Sequence, residues 1–279
     1  MTESLLSKQQ YDSFRIFLEE SCGIVLGDNK HYLVTSRLNR LTKEFSFDSL
    51  NDMIDALKHS RDNRLKERVV DAMTTNETSW FRDTYPYELL RENLVPELVK
   101  EKPSRLRIWS AASSTGQEPY SISMILSETQ MKTPGLLSVP VEIVGTDISA
   151  TVLNIARRAE YDGLSLSRGI SDERKKMFFK GLDNDRWQLN DKIKSIVKFS
   201  EINLLQNYTL LGKFDLIFCR NVLIYFSAEL KSDILSRMAK ALNPGGYLIL
   251  GGSESPTGYC RDFEMTRFPK GVVYRLKNE

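Results

Sequence analysis

The amino-acid sequence predicts an all-helical N-terminal domain followed by an α/β domain with a mostly parallel sheet. In the first part of the chain, apolar residues recur at helical spacing, as at Tyr11, Phe14 and Leu18. From residue 105 onward, short β-rich runs alternate with helical stretches, a pattern typical of βαβ units. The last segment, DFEMTRFPKGVVYRL, predicts two strands joined by a tight Pro-Lys-Gly turn, and hence an antiparallel hairpin at one edge of the sheet.

The chain divides into three predicted parts. We expect a helical domain over residues 1–76, a linker with a helix over 77–104, and the α/β domain over 105–279. The predicted strands of the α/β domain are RLRIW, VEIVGTD, SIVKFS, FDLIFC, GYLILGG and VVYRL.

Residues 161–195 interrupt this alternation, and we expect a small inserted β subdomain there. The run SDERKKMFF predicts a short helix with Ser171 as its N-cap. The run RWQLNDKIK that follows predicts two short strands around Asn190 and Asp191.

Composition and charge exclude several broad classes of protein. A chain of 279 residues with 41% hydrophobic and 27% charged residues is ordinary for a globular protein with one large domain, or with one large domain and a smaller companion. The formal net charge of +2 provides no global attraction to nucleic acid or to a membrane surface. The three cysteines show no metal-binding spacing, and no stretch of 18 apolar residues exists. MTESLLSKQQ has neither the basic nor the apolar region of a secretion signal, so we do not expect secretion. We therefore expect a soluble cytoplasmic protein without a metal, and we take it to be a monomer.

The loop SAASSTGQE, residues 110–118, follows the first predicted strand. Pro119 favours the first turn of a helix directly after it. Small residues allow a ligand to lie against the backbone, and Gly116 permits a sharp turn. Glu118 would repel a phosphate but attract an ammonium or sulfonium group. The loop therefore predicts a nucleoside ligand that has no pyrophosphate.

Asp147 ends the second predicted strand, where an acid suits the hydroxyls of a ribose. Adenosine without phosphates, joined to a positively charged amino-acid tail, describes S-adenosylmethionine. The alternative is an ordinary turn between strand and helix in which Glu118 and Asp147 merely cap helices. Asp147 and the terminal hairpin favour the cofactor.

Polar residues also cluster between the two domains, in TTNETSWFRDTYPY. Asn76, Thr78 and Arg82 are spaced so that they converge from neighbouring turns. The alternative is that Thr78 caps a helix and that Arg82 pairs with Asp83 or Glu88.

Two further strand ends carry candidate site residues. Arg220 and Asn221 end the fourth strand, where open α/β sheets bind their ligands, and a buried arginine there needs a partner. Tyr225 either points into the same crevice or belongs to the core. After the third strand, Asn203 is placed to meet an adenine amino group, with the backbone of Leu204 beside it.

The residues absent from these motifs narrow the chemistry. Arg-Asn-Val-Leu stands where methyltransferases of amino nitrogens commonly have Asn/Asp-Pro-Pro-Tyr/Phe, and Cys219 lacks the Pro-Cys context of cytosine C5 enzymes. The only histidines, His31 and His59, lie in the helical domain. A nucleophile that is already ionised, such as a carboxylate, would need no histidine base.

A basic stretch lies in the helical domain. Lys30, Arg37, Arg40 and Lys43 occur without an intervening acid, and the spacing places the first three along one side of a helix. Such a run is either a solvated face or a docking surface for an acidic partner.

Taken together, TTNETSWFRD, WSAASSTGQEPYS, GTDIS, NLL, FCRNVLIYF and GGYLILGGSES resemble the chemotaxis receptor methyltransferases of the CheR family over nearly the whole chain. The resemblance implies a Rossmann-like fold that binds S-adenosylmethionine. It implies methyl transfer to glutamate side chains of methyl-accepting chemotaxis receptors, which forms glutamyl methyl esters. Arg82 and Tyr225 match positions near the transferred methyl group, and the basic helix would dock on the receptor's acidic helical region. The implied cofactor contacts are Asn76, Thr78, Arg82, Glu118, Asp147, Asn203, Leu204, Arg220 and Asn221.

One segment departs from the family pattern. Members that bind a receptor's C-terminal pentapeptide have a longer, glycine-bearing loop where this chain has KGLDNDRWQL, which is shorter and contains only Gly181. We therefore expect methylation that is independent of the pentapeptide. The alternative function for the whole chain is a non-catalytic adaptor that binds S-adenosylmethionine, although the presence of both Arg82 and Tyr225 favours the enzyme.

Overall fold

The computed structural model describes residues 6–59, 63–101 and 104–277. Within these ranges the chain begins with a helical bundle made of α1 (Lys8–Cys22), α2 (His31–Glu44), α3 (Leu50–His59) and α4 (Asn63–Met73). Ser7 caps α1 by accepting a hydrogen bond from the N–H of Gln10. Gly23 ends the helix with a φ of 79°, which a residue without a Cβ adopts easily. The apolar stripe of α1 is buried in the core of the bundle.

A segment of turns and extended backbone, residues 74–84, leads out of the bundle, and we call it the strap. It is followed by α5 (Tyr85–Leu89), a π-helical turn (Leu90–Leu94) and α6 (Val95–Glu101). The apolar side chains of these helices join the core of the α/β part. The helices of the stretch expected as a linker therefore contribute to the core of the sheet domain.

The α/β part contains the remaining described elements. In chain order they are β1 (Leu106–Ala111), α7 (Gln117–Lys132), β2 (Val141–Asp147), α8 (Ala150–Arg158), β3 (Glu160–Asp162), α9 (Gly163–Ser167), α10 (Asp172–Phe178), β4 (Phe179–Gly181), β5 (Arg186–Leu189), α11 (Asp191–Lys194), β6 (Val197–Glu201), β7 (Phe214–Cys219), α12 (Ala228–Ala241), β8 (Leu242–Leu250), β9 (Phe263–Phe268) and β10 (Gly271–Leu276). Short 3-10 turns lie at Thr209–Leu211 and Leu223–Tyr225.

Seven strands form the main sheet in the order β6-β2-β1-β7-β8-β10-β9. The strands from β6 to β8 pair in parallel, whereas β10 pairs antiparallel with both β8 and β9. The predicted α/β class and the antiparallel hairpin at the sheet edge are therefore confirmed. The central strands are buried on both faces, as β1 shows with Ile108 in one core and Trp109 in the other.

The strand order reverses between β1 and β7. From β1 the chain proceeds outward through β2 and β6 on one side, and it returns to β7 on the other side. Loops that leave the carboxyl ends of β1 and β7 diverge there, and they leave a crevice in which open α/β sheets bind ligands. None of the helices in the described ranges combines the length and the apolarity that crossing a membrane requires.

The inserted subdomain is built differently from the prediction. Ser171 does cap α10, since its side chain accepts a hydrogen bond from the N–H of Arg174. Of the two strands expected around Asn190 and Asp191, the first is present as β5, but the second is wrong, because the chain turns there into α11 and buries Ile193. The single strand β5 instead pairs with β3 and β4, which come earlier in the chain, to form an antiparallel sheet in the order β3-β5-β4.

Candidate cofactor and active site

A cavity opens at the reversal of strand order. Its wall combines the α1–α2 turn, the strap, and the loops after β1, β2, β6 and β7. All the site residues named from the sequence line it: Asn76, Thr78, Arg82, Glu118, Asp147, Asn203, Leu204, Arg220, Asn221 and Tyr225. Segments that are far apart in the chain therefore meet around one space.

The loop after β1 turns sharply before α7. Ala112 and Ser114 have positive φ angles of 55° and 49°, and Gly116 has a φ of 94°. A Cβ on Gly116 would lie 3.0 Å from the Cβ of Ala156, so close packing against α8 also requires glycine here. The Oγ of Ser114 donates to the carbonyl of Asn76 at 2.8 Å, which ties the loop to the strap.

Asp147 lies at the end of β2 with its side chain turned into the loop. Its Oδ2 accepts the N–H of Ser114 at 2.9 Å, and its Oδ1 accepts the N–H of Ser149 at 3.0 Å. Burial raises the pKa of this carboxyl, and the backbone donors of Ser149, Ser114 and Ile148 oppose that rise. Each carboxylate oxygen keeps a further acceptor site, so Asp147 can bind hydroxyl groups in the cavity.

Glu118 and Arg220 form a buried ion pair at the floor of the cavity. The Nη1 of Arg220 lies 2.9 Å from the Oε2 of Glu118, and its Nη2 lies 2.6 Å from an oxygen of Asp83. Burial lowers the pKa of Arg220, but attraction to Glu118, Tyr87 and Asp83, together with the hydrogen bond to Glu118, outweighs this effect and raises the pKa above its ordinary value. The partner that a buried arginine needs is thus present. Because two carboxylates surround one guanidinium, this group keeps a net negative charge.

Arg82 does not make the ion pairs considered as an alternative. Asp83 pairs with Arg220, and Glu88 lies 3.4 Å from Lys270. The Nη1 of Arg82 lies 3.4 Å from the carbonyl oxygen of Glu77, and the side chain is half-buried in the cavity wall. Its guanidinium therefore faces the cavity without an ion pair to any described residue.

Thr78 lies in the strap away from any helix start, since the next helix, α5, begins at Tyr85. It therefore does not cap a helix.

Asn203 lies in the wall with its amide already engaged. Its Nδ2 donates to the carbonyl of Ser21 at 2.7 Å, and its Oδ1 accepts the N–H of Leu205 at 3.0 Å. The side chain thus holds the helical domain against the loop after β6 and retains one acceptor site on Oδ1. A second bond joins the same domains, because the N–H of Val25 donates to the carbonyl of Tyr225 at 2.9 Å. The α1–α2 turn therefore covers one side of the cavity.

Glu254 organises the loop that carries Asn221 and Tyr225, and the sequence analysis missed it. This nearly buried carboxylate accepts the N–H groups of Asn221 at 2.7 Å, Val222 at 3.0 Å, Ile224 at 3.3 Å and Gly251 at 2.8 Å. The sequence shows only an acid four residues after the strand in GGYLILGGSES, which looks like an ordinary loop acid.

Several buried polar atoms of the cavity wall have no hydrogen-bond partner among the described residues. They are the Oγ of Ser113, the Nε of Arg220, the Oδ1 of Asn221 and the hydroxyl of Tyr87, a second residue that sequence reasoning missed. Buried polar groups are normally paired. A wall that mixes carboxylates, an amide and hydroxyls fits a ligand with both a nucleoside and a charged amino-acid tail.

The basic stretch of α2 does not form one uniform surface. Lys30, Arg40 and Lys43 are exposed, but Arg37 is half-buried. The Nη1 of Arg37 donates to the carbonyls of Met73 and Thr74, and its Nη2 donates to the Oγ1 of Thr75 at 3.0 Å. Arg37 therefore holds the start of the strap, and the exposed charge is that of the other three residues.

The short loop of the inserted subdomain borders an open depression. Asp183 lies in its wall together with Glu160, Arg158 and Arg186. Two arginines and a second acid therefore stand beside Asp183 in this wall.

Comparison with known proteins matches both parts of the chain to one family. The family model described as CheR methyltransferase, SAM binding domain, matches residues 76–272, and the CheR all-alpha domain matches residues 9–74. A chemotaxis protein methyltransferase of Vibrio parahaemolyticus is 52% identical over 277 residues, which cover 99% of this chain and 100% of the relative. Chemotaxis protein methyltransferase 1 of Pseudomonas aeruginosa is 50% identical over 268 residues, which cover 96% and 97% of the two chains.

Proposed function

Because the chain belongs to the CheR methyltransferase family, whose larger domain binds S-adenosylmethionine, we propose that it methylates glutamate side chains of chemotaxis receptors and forms glutamyl methyl esters. The observation that carries this choice of acceptor is Arg82, a half-buried guanidinium in the cavity wall without an ion pair to a described residue. A guanidinium matches the geometry of a carboxylate. Among the described residues of the wall there is no histidine to act as a base.

Different residues of the cavity wall would contact the ribose, the adenine and the amino-acid tail of the cofactor. Asp147 would accept the ribose hydroxyls, and the loop at Asn203 and Leu204 would border the adenine. The net negative charge around Arg220 would hold the amino-acid tail, with Glu118 toward its ammonium group. When bound, S-adenosylmethionine supplies an electrophilic methyl group on a sulfonium.

Positioning of the acceptor is the main task of the remaining residues. A glutamate carboxylate is ionised at neutral pH, so it attacks without losing a proton. Arg82 would orient this carboxylate, and Tyr225 would border the path of the methyl group. Alignment of two reactants in this way can lower a barrier by roughly 7–11 kcal/mol.

We propose further that the exposed bases Lys30, Arg40 and Lys43 dock on the acidic face of the receptor's cytoplasmic helical region. The protein would act there as a cytoplasmic monomer. We also propose that methylation does not require a receptor pentapeptide. The support for this is the short loop between β4 and β5, which offers little backbone to close over a peptide.

The test is methyl transfer from labelled S-adenosylmethionine to receptor-rich membranes. We expect label that mild base releases, as an ester requires, and loss of the label when the receptor glutamates are replaced by alanine. Label that resists base would refute esterification. Tight cofactor binding without any transfer would instead support the adaptor. Receptors that lack their last five residues should be methylated at the same rate as intact receptors.

A further inference from the structure

The strap has an unusual backbone where it carries Arg82. Phe81, Asp83 and Thr84 all have positive φ angles, of 49°, 65° and 53°. Residues with a Cβ rarely adopt this conformation, and it persists only where the surrounding structure imposes it. The position of Arg82 therefore depends on the contacts that hold its neighbours.

The inserted subdomain supplies one set of these contacts through Trp80. The indole is 1% exposed and lies edge-on to Tyr161 of β3 and Phe179 of β4, with centroid distances of 4.8 and 5.5 Å. The N–H of Trp80 donates to the carbonyl of Arg168 at 3.1 Å. Two strands and one loop of the subdomain thus hold the residue that stands two positions before Arg82.

Gly169 allows this contact. Its φ is 115°, and a Cβ built on it would lie 2.0 Å from the carbonyl oxygen of Trp80. No side chain fits at that distance, and the opposing atom is backbone, which cannot rotate away. Glycine is therefore required here both for its conformation and for the approach of the strap.

A second contact comes from α10 of the same subdomain. The guanidinium of Arg174 lies 3.8 Å from the centre of the Phe81 ring, and Glu128 of α7 holds it by bonds of 2.7 and 3.0 Å. The N–H of Phe81 donates to the Oγ of Ser121 at 3.1 Å. The carbonyl oxygen of Arg82, on the C-terminal side of that residue, accepts a hydrogen bond from the Nη2 of Arg220 at 2.9 Å.

We propose that the inserted subdomain positions Arg82 for the reaction, with Trp80 and Gly169 as the positioning residues. This inference rests on the proposed role of Arg82 at the acceptor carboxylate. The subdomain contacts the strap at Trp80 and Phe81, which precede Arg82. Arg220 bonds the carbonyl of Arg82 and the carboxylate of Asp83, which follows it. A small shift of Trp80 consequently moves the guanidinium relative to the acceptor, while Asp147, Glu118 and the loop after β6 stay in place.

The test compares Gly169→Ala with Gly135→Ala. Gly135 also has a positive φ, of 89°, but a Cβ there meets nothing within 4 Å, so it reports backbone strain without a clash. We expect G169A to lower kcat roughly 10- to 100-fold, as misplacement by about 1 Å does, and to change the calorimetric Kd for S-adenosylmethionine far less. G135A should keep wild-type kcat. Equal kcat values in the two variants would overturn the inference.

A cycle with Arg82→Ala separates positioning from general damage. If Gly169 acts through Arg82, adding G169A to R82A lowers kcat by less than about threefold further. If G169A lowers kcat equally in the wild-type and the R82A backgrounds, this inference is overturned, but the proposed role of Arg82 is not. A wild-type kcat in R82A would overturn the proposed role of Arg82 and the inference with it. Should G169A fail to fold, Trp80→Phe removes part of the ring contact with Tyr161 and Phe179 but keeps the backbone bond, and the same cycle applies to it.

Discussion

Replacing Glu254 by Gln tests how far one carboxylate supports the catalytic loop. Its Oε2 accepts the N–H groups of Asn221 and Gly251, and its Oε1 accepts those of Val222 and Ile224. Glutamine keeps one of these oxygens and turns an amide NH2 toward two donors. The loop then contains two backbone N–H groups without an acceptor.

The cost follows from the number of donors and their burial. A buried donor without a partner costs about 1–3 kcal/mol. Three of the four donors are only partly buried, so we expect E254Q to lose about 2–3 kcal/mol of unfolding free energy, near the lower end for two such groups. For a domain of this size, that corresponds to a fall in Tm of roughly 4–12 °C.

Urea denaturation of the cofactor-free protein measures this loss, and calorimetry with S-adenosylmethionine measures its effect on the cavity. Glu264→Gln is the matched control, because Glu264 is an exposed acid on β9 and its variant should stay within about 0.5 kcal/mol of wild type. We also expect E254Q to lower kcat, since Asn221 and Tyr225 stand on the loop. An E254Q protein as stable and as active as E264Q would refute this account of the loop.

The other predictions concern the cofactor, the acceptor and the receptor. Asp147→Ala should weaken S-adenosylmethionine binding by about 1.5–3 kcal/mol by calorimetry, the contribution of a hydrogen bond to a charged group. Because burial raises the pKa of Asp147, the wild-type affinity should fall on acidification at a higher pH than an exposed aspartate would give. Arg82→Ala and Tyr225→Phe should lower kcat more than they weaken cofactor binding. Charge reversal at Arg40 and Lys43 should raise the KM for receptor without changing cofactor affinity, and wild-type methylation should weaken with salt. A receptor pentapeptide should give no titration heat.

A specific measurement would contradict each of these predictions. Unchanged affinity for S-adenosylmethionine in D147A would remove Asp147 from the cofactor site. Near wild-type turnover in both R82A and Y225F would place the chemistry elsewhere. A rate that is insensitive to salt would make the exposed bases a solvated face. Micromolar pentapeptide binding would assign a peptide site to the inserted subdomain. Charge reversal at Arg37 would not test docking, because Arg37 holds the strap and its loss would damage the site directly.

Local patterns were enough to predict the α/β class, the helical first domain and the terminal hairpin. Apolar periodicity at Tyr11, Phe14 and Leu18 reports which face of a helix is buried, and β-rich runs report strands, because both are properties of near neighbours in the chain. The same locality explains the need of Arg220 for a partner, since any buried guanidinium requires one. The identity of that partner was not predictable, because Asp83 and Glu118 lie more than a hundred residues away in the chain.

Contacts between distant segments decided the rest. The second strand expected after Asn190 and Asp191 is absent because β5 pairs with β3 and β4, which come earlier in the chain, and a helical turn buries Ile193. The sequence predicted Arg37 as part of the basic face, whereas in the fold its guanidinium donates to the backbone carbonyls of Met73 and Thr74. Glu254 and Gly169 carry no local signal that separates them from an ordinary loop acid and loop glycine. Their roles exist only because folding brings the backbone N–H groups of one loop, and the carbonyl of Trp80, to within bonding or van der Waals distance of them.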